Sequence, residues 1–383
     1  MKKRDKSVSS NAVLRLEPSD IEKLFSVIIN EGYEICAPVV KDGAIVYKSG
    51  AVFSELPSGW GDFQEKANYQ IERNNNDAIF NYTVAANNWK QFLFKPVEKL
   101  FTINRNGWQA IKSEKEDKPL AFFGVRPCEL ASIAILDKVF EDRRCYIPEY
   151  KRRRESLLII AVNCTRAGNT CFCASLNTGP KAKSHYDIVL TEMVNDRRHY
   201  FVGEAATERG QKIISKLKCQ TASPAEVSEV ESAIERAANS MGRTVNTDRL
   251  KELLYEKFES HIWDEIAERC LTCGNCTMVC PTCFCNQVED GSSFDGKVAW
   301  RCRKWDSCFS LEFSYIHGGS VRASEKSRYR QWLTHKFASW CEQFGVFGCV
   351  GCGRCITWCP AGIDITEEIK VFQTETQSGN PIT

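Results

Sequence analysis

Residues Arg269 to Pro281 read RCLTCGNCTMVCP, and Gly348 to Pro360 read GCVGCGRCITWCP. Both obey C-x2-C-x2-C-x3-C-P, placing Cys270, Cys273, Cys276 and Cys280 before Pro281, and Cys349, Cys352, Cys355 and Cys359 before Pro360. In such a run three closely spaced thiolates wrap one face of an iron–sulfur cubane, while the fourth cysteine is carried away to ligate the other cluster. Each copy therefore requires the other. The reading assigns Cys270, Cys273, Cys276 and Cys359 to one 4Fe-4S cluster, and Cys349, Cys352, Cys355 and Cys280 to a second. Gly274, Gly351 and Gly353 let the backbone pass close to the inorganic core. Zinc competes for CxxC pairs, but two runs of four that each end in CP argue for clusters.

Residues 281–348 read as an insertion into this two-cluster unit. It opens PTCFCNQVED, and Cys283, Cys285, Cys302 and Cys308 are numerous enough for a further cluster, although thiols packed beside the second cluster are the favoured reading. His317 and His335 read as hydrogen-bonded structural histidines. Arg328, Tyr329, Arg330, Trp332 and Lys336 form a basic aromatic stretch that suits a docking or cluster-shielding surface better than a nucleic-acid face, because the net charge is only +2. GSSFDGKV, Gly291 to Val298, nearly spells a phosphate-binding loop. It lacks the Ser or Thr that would hold magnesium, and no buried strand precedes it.

Cysteine density also divides the chain. Of 20 cysteines, thirteen lie between Cys270 and Cys359, whereas Cys36, Cys128, Cys145, Cys164, Cys171, Cys173 and Cys219 are spread over the first 260 residues. A chain of 383 residues suits two domains. We expect an α+β protein: an N-terminal α/β domain over 1–245, then a helical lead-in and a mostly helical, doubled ferredoxin-like domain over 246–383. The lead-in shows two stripes, Val227, Val230, Ile234 and Ala237, then Leu250, Leu253, Leu254, Phe258, Ile262 and Ile266 running into Cys270.

In the N-terminal part, Ser19 or Asp20 can cap a helix carrying Ile21, Leu24, Phe25 and Ile28 on one face. VVKDGAIVY predicts a hairpin turning at Asp42-Gly43, and YDIVLTEM with RHYFVG another around Asn195-Asp196. LAFFGV (Leu120 to Val125) and LLIIAV (Leu157 to Val162) are short apolar runs, the mark of strands buried on both faces. Leu130, Ile133, Leu136 and Phe140 lie along one helical stripe between them, so the segment is a parallel βαβ unit. Cys128 follows the first strand and Cys164 the second, at the sheet edge where α/β proteins bind ligands. With Cys171 and Cys173 they make a candidate third four-thiolate site, provided that CFC is a loop, since alternate residues of a strand face apart. Four buried free thiols are the plainer alternative. Cys36, Cys145, Cys219 and Cys341 read as ordinary thiols, and KRRR, Lys151 to Arg154, as a solvated helix end or loop.

MKKRDKSVSSNAVLRL begins basic, but no apolar core follows, and no later run approaches the roughly 20 apolar residues of a membrane span. The expectation is a cytoplasmic protein with neither membrane nor nucleic-acid partner. No G-x-G-x-x-G follows a predicted strand, and no Ser-His-Asp set, HExxH or paired-carboxylate motif occurs. We therefore expect no catalytic residue, only an electron wire with a donor and an acceptor partner.

FGVRPCELASI, VNCTRAGNTCFCASLNTGP, CLTCGNCTMVCPTCFC, RKWDSCFSLEFSYIHGGSVR, RYRQWLTHK and CVGCGRCITWCPAGIDITEEI resemble the iron–sulfur β subunit of cytoplasmic bidirectional nickel–iron hydrogenases, or sulfhydrogenases, over residues of about 120 to 370. The resemblance implies a subunit that relays electrons between a nickel–iron module, with its large and small subunits, and a flavin subunit handling NAD(P)H. The flavin and nickel would then sit in partner chains. The skeleton also resembles the iron–sulfur electron-transfer subunit of anaerobic sulfite reductase; HGGSVR and RYRQWLTHK favour the hydrogenase. A stand-alone ferredoxin-like carrier and a cluster protein of nucleic-acid processing are readings of another class, the latter discouraged by the near-neutral charge.

Overall fold

The computed structural model describes residues 12–104, 109–112, 118–142, 145–195 and 198–375. The fold is α+β, with both helices and a mixed sheet. In chain order its principal strands are β1 (Leu14–Leu16), β2 (Glu34–Lys41), β3 (Ala44–Ser49), β4 (Trp60–Glu65), β5 (Asn68–Arg73), β6 (Val97–Asn104), β7 (Gln109–Lys112), β8 (Leu120–Val125), β9 (Leu158–Val162), β10 (Ile188–Asn195), β11 (Arg198–Ala205), β12 (Gln220–Thr221), β13 (Asn286–Ser292) and β14 (Val298–Trp305).

The larger sheet has the order β12-β1-β11-β10-β9-β8-β2-β3. Its centre, β10-β9-β8-β2, is parallel, and its flanks are antiparallel. LAFFGV and LLIIAV form the expected parallel pair, Phe122 beside Ile159. The crossover helix Pro127–Glu141 buries Leu130, Ile133, Leu136 and Phe140. The β2–β3 hairpin turns at Asp42 and Gly43, whose φ values of 51° and 73° are those a two-residue hairpin turn demands. β10 and β11 pair with Asn195 opposite Arg198; Asp196, expected at that turn, lies outside the described residues.

Three local expectations are corrected. The first helix, Pro18–Asn30, is capped at Glu17, not at Ser19 or Asp20; Asp20 instead accepts the Glu17 N–H at 3.0 Å. The stripe leading into Cys270 divides into helices Leu250–Glu256 and Ile262–Arg269, leaving Phe258 exposed between them. The Trp263 indole holds that break by donating to the Lys257 carbonyl at 2.8 Å. KRRR lies inside the helix Pro148–Ser156, and its Arg153 is buried in an ion pair with Glu98, which also pairs with Arg303.

Glu98 and Arg303, which Arg153 reaches from its helix, lie in a second, antiparallel sheet of order β13-β14-β6-β7. β6 and β7 precede residue 245 while β13 and β14 come from the insertion, so the two halves share hydrogen-bonded strands. GSSFDGKV spans the end of β13, the turn and the start of β14. No helix follows it, as a phosphate-binding loop requires. The cores interlock as well. Trp340, Val350 and Cys352 enter the apolar core of the larger sheet, and Phe172 enters the helical core around Trp263, Ile266 and Phe337.

Candidate iron–sulfur site

Each ferredoxin run delivers its thiols through a tight loop followed by a single helical turn, Asn275–Met278 or Arg354–Thr357. Gly274, Gly351 and Gly353 have φ of 72°, 64° and 77°, a conformation that side chains resist. They are also sites of close approach: a Cβ on Gly351 would stand 2.6 Å from the Cys173 backbone nitrogen, and one on Gly353 2.4 Å from the Thr170 carbonyl.

Cys270, Cys273, Cys276 and Cys359 line one pocket, which Cys355 also borders, walled by Phe309, Tyr329, Trp332 and Ile363. Thus the last cysteine of the second run meets the first three of the first. Cys349, Cys352 and Cys355 gather around Cys280 in the reciprocal manner. Backbone N–H groups already point at sulfur: Thr272 at Cys270, Gly351 at Cys349 and Ile363 at Cys359, each 3.4 Å away. Among the described residues no three Cys, His, Asp or Glu side chains stand close enough to share a single metal ion. Soft sulfur donors with N–H groups directed at them fit an iron–sulfur core.

Burial raises the thiol pKa of Cys270, Cys276, Cys352 and Cys355, and pushes Cys349 up to about 12. Cys280 goes the other way. A hydrogen bond from Cys283 and the Lys336 ammonium, 3.2 Å from its sulfur, hold it well below the ordinary thiol value despite burial. Lys336 is buried, yet the Cys280, Cys283 and Cys349 sulfurs keep its own pKa well above that of a free lysine. Lys336 belongs to the basic aromatic stretch expected to dock a partner or shield a cluster. In the structure Arg328, Tyr329, Trp332 and Lys336 are buried against the thiols, while Arg330 is half-buried and pairs with Glu259, so the stretch mainly shields. His335 packs beside Phe284 and Trp340, and His317 is exposed in a hairpin.

The CFC segment Cys171–Cys173 is a loop, not a strand, and leads into the turn Cys173–Leu176. Its Phe172 N–H donates to the Gly351 carbonyl at 2.9 Å. Cys128, Cys164, Cys171 and Cys173 lie within electrostatic reach of one another, with Cys352 next to them. Arg126, 1% exposed, lies against Cys164 and donates to the Phe80 carbonyl at 2.7 Å and to that of Tyr82, while its Nε has no partner among the described residues. Arg126 forms no ion pair among the described residues, and a buried guanidinium favours an anionic neighbour.

One carboxylate ties this region to the second ferredoxin run. Glu129 is fully buried and accepts hydrogen bonds from Tyr47 (2.8 Å), the Trp89 indole (2.9 Å), the Arg126 backbone (3.1 Å) and the Arg354 guanidinium. Arg354, one residue before Cys355, is thereby fixed by the helix that also carries Cys128. The contacts of Glu129 with Tyr47, Trp89 and Arg354 carried no sequence signal, because they are distant in the chain.

These two thiol sets, held by tight loops and packed on a mixed sheet, define an iron–sulfur electron-transfer protein. The 4Fe-4S dicluster domain family matches residues 269–363. Over 333 residues the chain is 31% identical to sulfhydrogenase 2 subunit beta of Pyrococcus furiosus, covering 83% of this chain and 92% of that protein. No solved structure matches. The chain belongs to the sulfhydrogenase β-subunit family, an iron–sulfur hydrogenase subunit that carries 4Fe-4S clusters. No helix among the described residues is long and apolar enough to cross a membrane.

Proposed function

We propose that the chain relays electrons between a nickel–iron hydrogenase module and a flavin subunit that handles NAD(P)H. One 4Fe-4S cluster is held by Cys270, Cys273, Cys276 and Cys359, a second by Cys280, Cys349, Cys352 and Cys355, and a third by Cys128, Cys164, Cys171 and Cys173. Such clusters supply one-electron chemistry. The chain's own residues ligate, donate N–H groups to sulfur and exclude water.

The observation that carries the reading is the exchange of last cysteines, Cys359 into the first pocket and Cys280 beside Cys349 and Cys352. Two openings support a relay with separate ends. Cys273 is exposed beside Leu271, which is itself exposed. Cys349 reaches a different cleft of about 440 Å³, which Lys138, Lys181 and Lys183 also line. The third site is supported by the CFC loop pressed on Gly351 and by the buried Arg126, whose Nε lacks a partner among the described residues.

Affinity purification of the full chain under anaerobic conditions tests both parts. Nickel and flavin travel with it if the relay reading holds. Sirohaem in their place would move it to the sulfite enzyme, and recovery as a lone carrier defeats both. Iron and acid-labile sulfide should reach at least about twelve per chain and fall by about four in Cys171→Ala/Cys173→Ala. About eight irons, unchanged in that variant, removes the third site.

A further inference from the structure

The tetrapeptide TCFC occurs twice, at Thr170–Cys173 and again at Thr282–Cys285. The first copy belongs to the third site already described. The second starts immediately after Pro281, and its two cysteines are not absorbed by either ferredoxin set.

The structure gathers a third cysteine around this second copy. The Cys285 and Cys308 thiols are within hydrogen-bonding reach of each other, and Cys283 lies beside both. Cys283 also touches Cys280, which is oriented toward Cys349 and Cys352. Cys302, grouped with these three on sequence, stands apart on β14 between Glu289 of β13 and Lys99 of β6. The group is therefore Cys283, Cys285 and Cys308.

Two buried ammonium groups face it. Lys90 and Lys336 are each 3% exposed. Lys90 donates to the carbonyls of Cys283 at 2.7 Å and Cys280 at 3.1 Å, its ammonium 3.8 Å from the centre of the Trp305 ring. Lys336 donates to the Cys280 sulfur, to the Thr282 hydroxyl at 3.3 Å and to the Gly348 carbonyl at 3.2 Å. Neither forms an ion pair with a carboxylate among the described residues. A buried cation is strongly penalised unless an anion lies close. One cluster beside Cys280 gives Lys336 its counter-charge; Lys90 bridges the Cys283 and Cys280 carbonyls and lies nearer the first.

We propose that Cys283, Cys285 and Cys308 hold an additional iron–sulfur cluster, with Lys90 as its buried counter-cation and Lys336 between it and the cluster beside Cys280. Three cysteines leave one iron of a cubane to a ligand other than cysteine. The proposal rests on assigning Cys280 to the neighbouring cluster, since only then do these three thiols stand alone.

The test uses the full chain, purified anaerobically, with iron, sulfide, electron paramagnetic resonance and Mössbauer spectra as readouts. Cys285→Ser/Cys308→Ser should lose about four irons while both ferredoxin-run signals persist, and Cys302→Ser should lose none. Wild-type Mössbauer spectra should contain a cubane with one iron unlike its other three, a reading that needs no variant to fold. An unchanged iron count in the double variant overturns the proposal, as does loss of the same iron in Cys302→Ser. It is equally overturned by a wild-type spectrum of uniformly cysteine-ligated cubanes, by zinc in the trio, or by a Cys285–Cys308 disulfide in the native protein. In Cys280→Ala, loss of one ferredoxin-run signal with the distinct-iron cubane intact is expected, whereas loss of the trio's four irons with both ferredoxin-run signals intact would make Cys280 its fourth ligand and refute the Cys280 assignment together with the three-cysteine cluster; loss of nickel and flavin from the purified complex bears on the relay alone.

Discussion

The two ferredoxin-run thiol sets share one spacing and differ in nearly everything around them. The Cys270 set opens toward solvent at Cys273 and is walled by neutral rings and aliphatic chains, Phe309, Tyr329, Trp332 and Ile363. The Cys349 set reaches the lysine-lined cleft through Cys349 but is otherwise enclosed against the other half of the molecule, with Lys336 on a sulfur and Arg354 buried beside it. Potentials of such clusters depend on net charge, hydrogen bonds to sulfur and exposure. A repeated motif fixes ligation alone, and the fold that receives each copy tunes it separately.

The largest effects should come from the crossing cysteines, because they separate the copies most sharply. Cys359→Ala should abolish the signal of the open, neutral set, and Cys280→Ala that of the enclosed, cationic set, each with a loss of about four irons. Metal analysis with electron paramagnetic resonance reads this directly. If either variant extinguishes the signal of the set nearest in sequence, ligation is local to each run and the comparison falls.

Next comes the carboxylate that only the enclosed set uses. Glu129→Ala strands Arg354 in the interior, where its Nη1 already lacks a partner among the described residues. Removing one member of a buried ion pair costs about 3–5 kcal/mol. Anaerobic urea unfolding should show that loss, with Glu129→Gln retaining part of the stability through its remaining hydrogen bonds. A change below about 1 kcal/mol would mean that water reaches the guanidinium.

Glu129 and Arg354 also show where sequence reading stops. The eight run cysteines are legible because their spacing is local and ligation by neighbours is obligatory, and the structure brings together those the spacing pairs. Cys128 and Cys164 are legible because strand ends converge on one sheet edge. The Glu129–Arg354 contact spans 225 positions and follows from no periodicity. Cys302 separates from Cys283, Cys285 and Cys308 only through the register of β14 against β6. Phe258 keeps the helical period, yet the break held by Trp263 turns it outward.

Lys336→Met tests the electrostatic half of the comparison with a side chain of similar length. It removes the positive charge and the hydrogen bond at Cys280, so the potential of the enclosed cluster should become more negative, and that of the open cluster, whose Cys276 feels the same charge without a hydrogen bond, should shift less. A redox titration followed by electron paramagnetic resonance resolves the two. Equal shifts in both would mean that Lys336 acts on the whole fold and that the charge difference does not distinguish the sites.

The smallest effect concerns His335, one residue before that lysine and packed between Phe284 and Trp340. Burial pulls its imidazole down to about 4, and the neighbouring Lys336 and Arg322 charges act in the same direction against a hydrogen bond with Gln343. The folded value therefore lies below the unfolded one of about 6.5, so the unfolded chain takes up the proton first. The stability that neutral His335 contributes is complete above pH 6.5, is lost as the pH falls toward 4, and changes no further below that. The slope reaches about 1 kcal/mol per pH unit within the window. His335→Phe keeps the ring and removes the titration, so between pH 6.5 and 5.5 it should lose less stability than the wild type by about that amount. Equal losses in anaerobic unfolding at both pH values would show that the imidazole is protonated without cost, and that the wall of the enclosed site admits water where Phe284 and Trp340 meet.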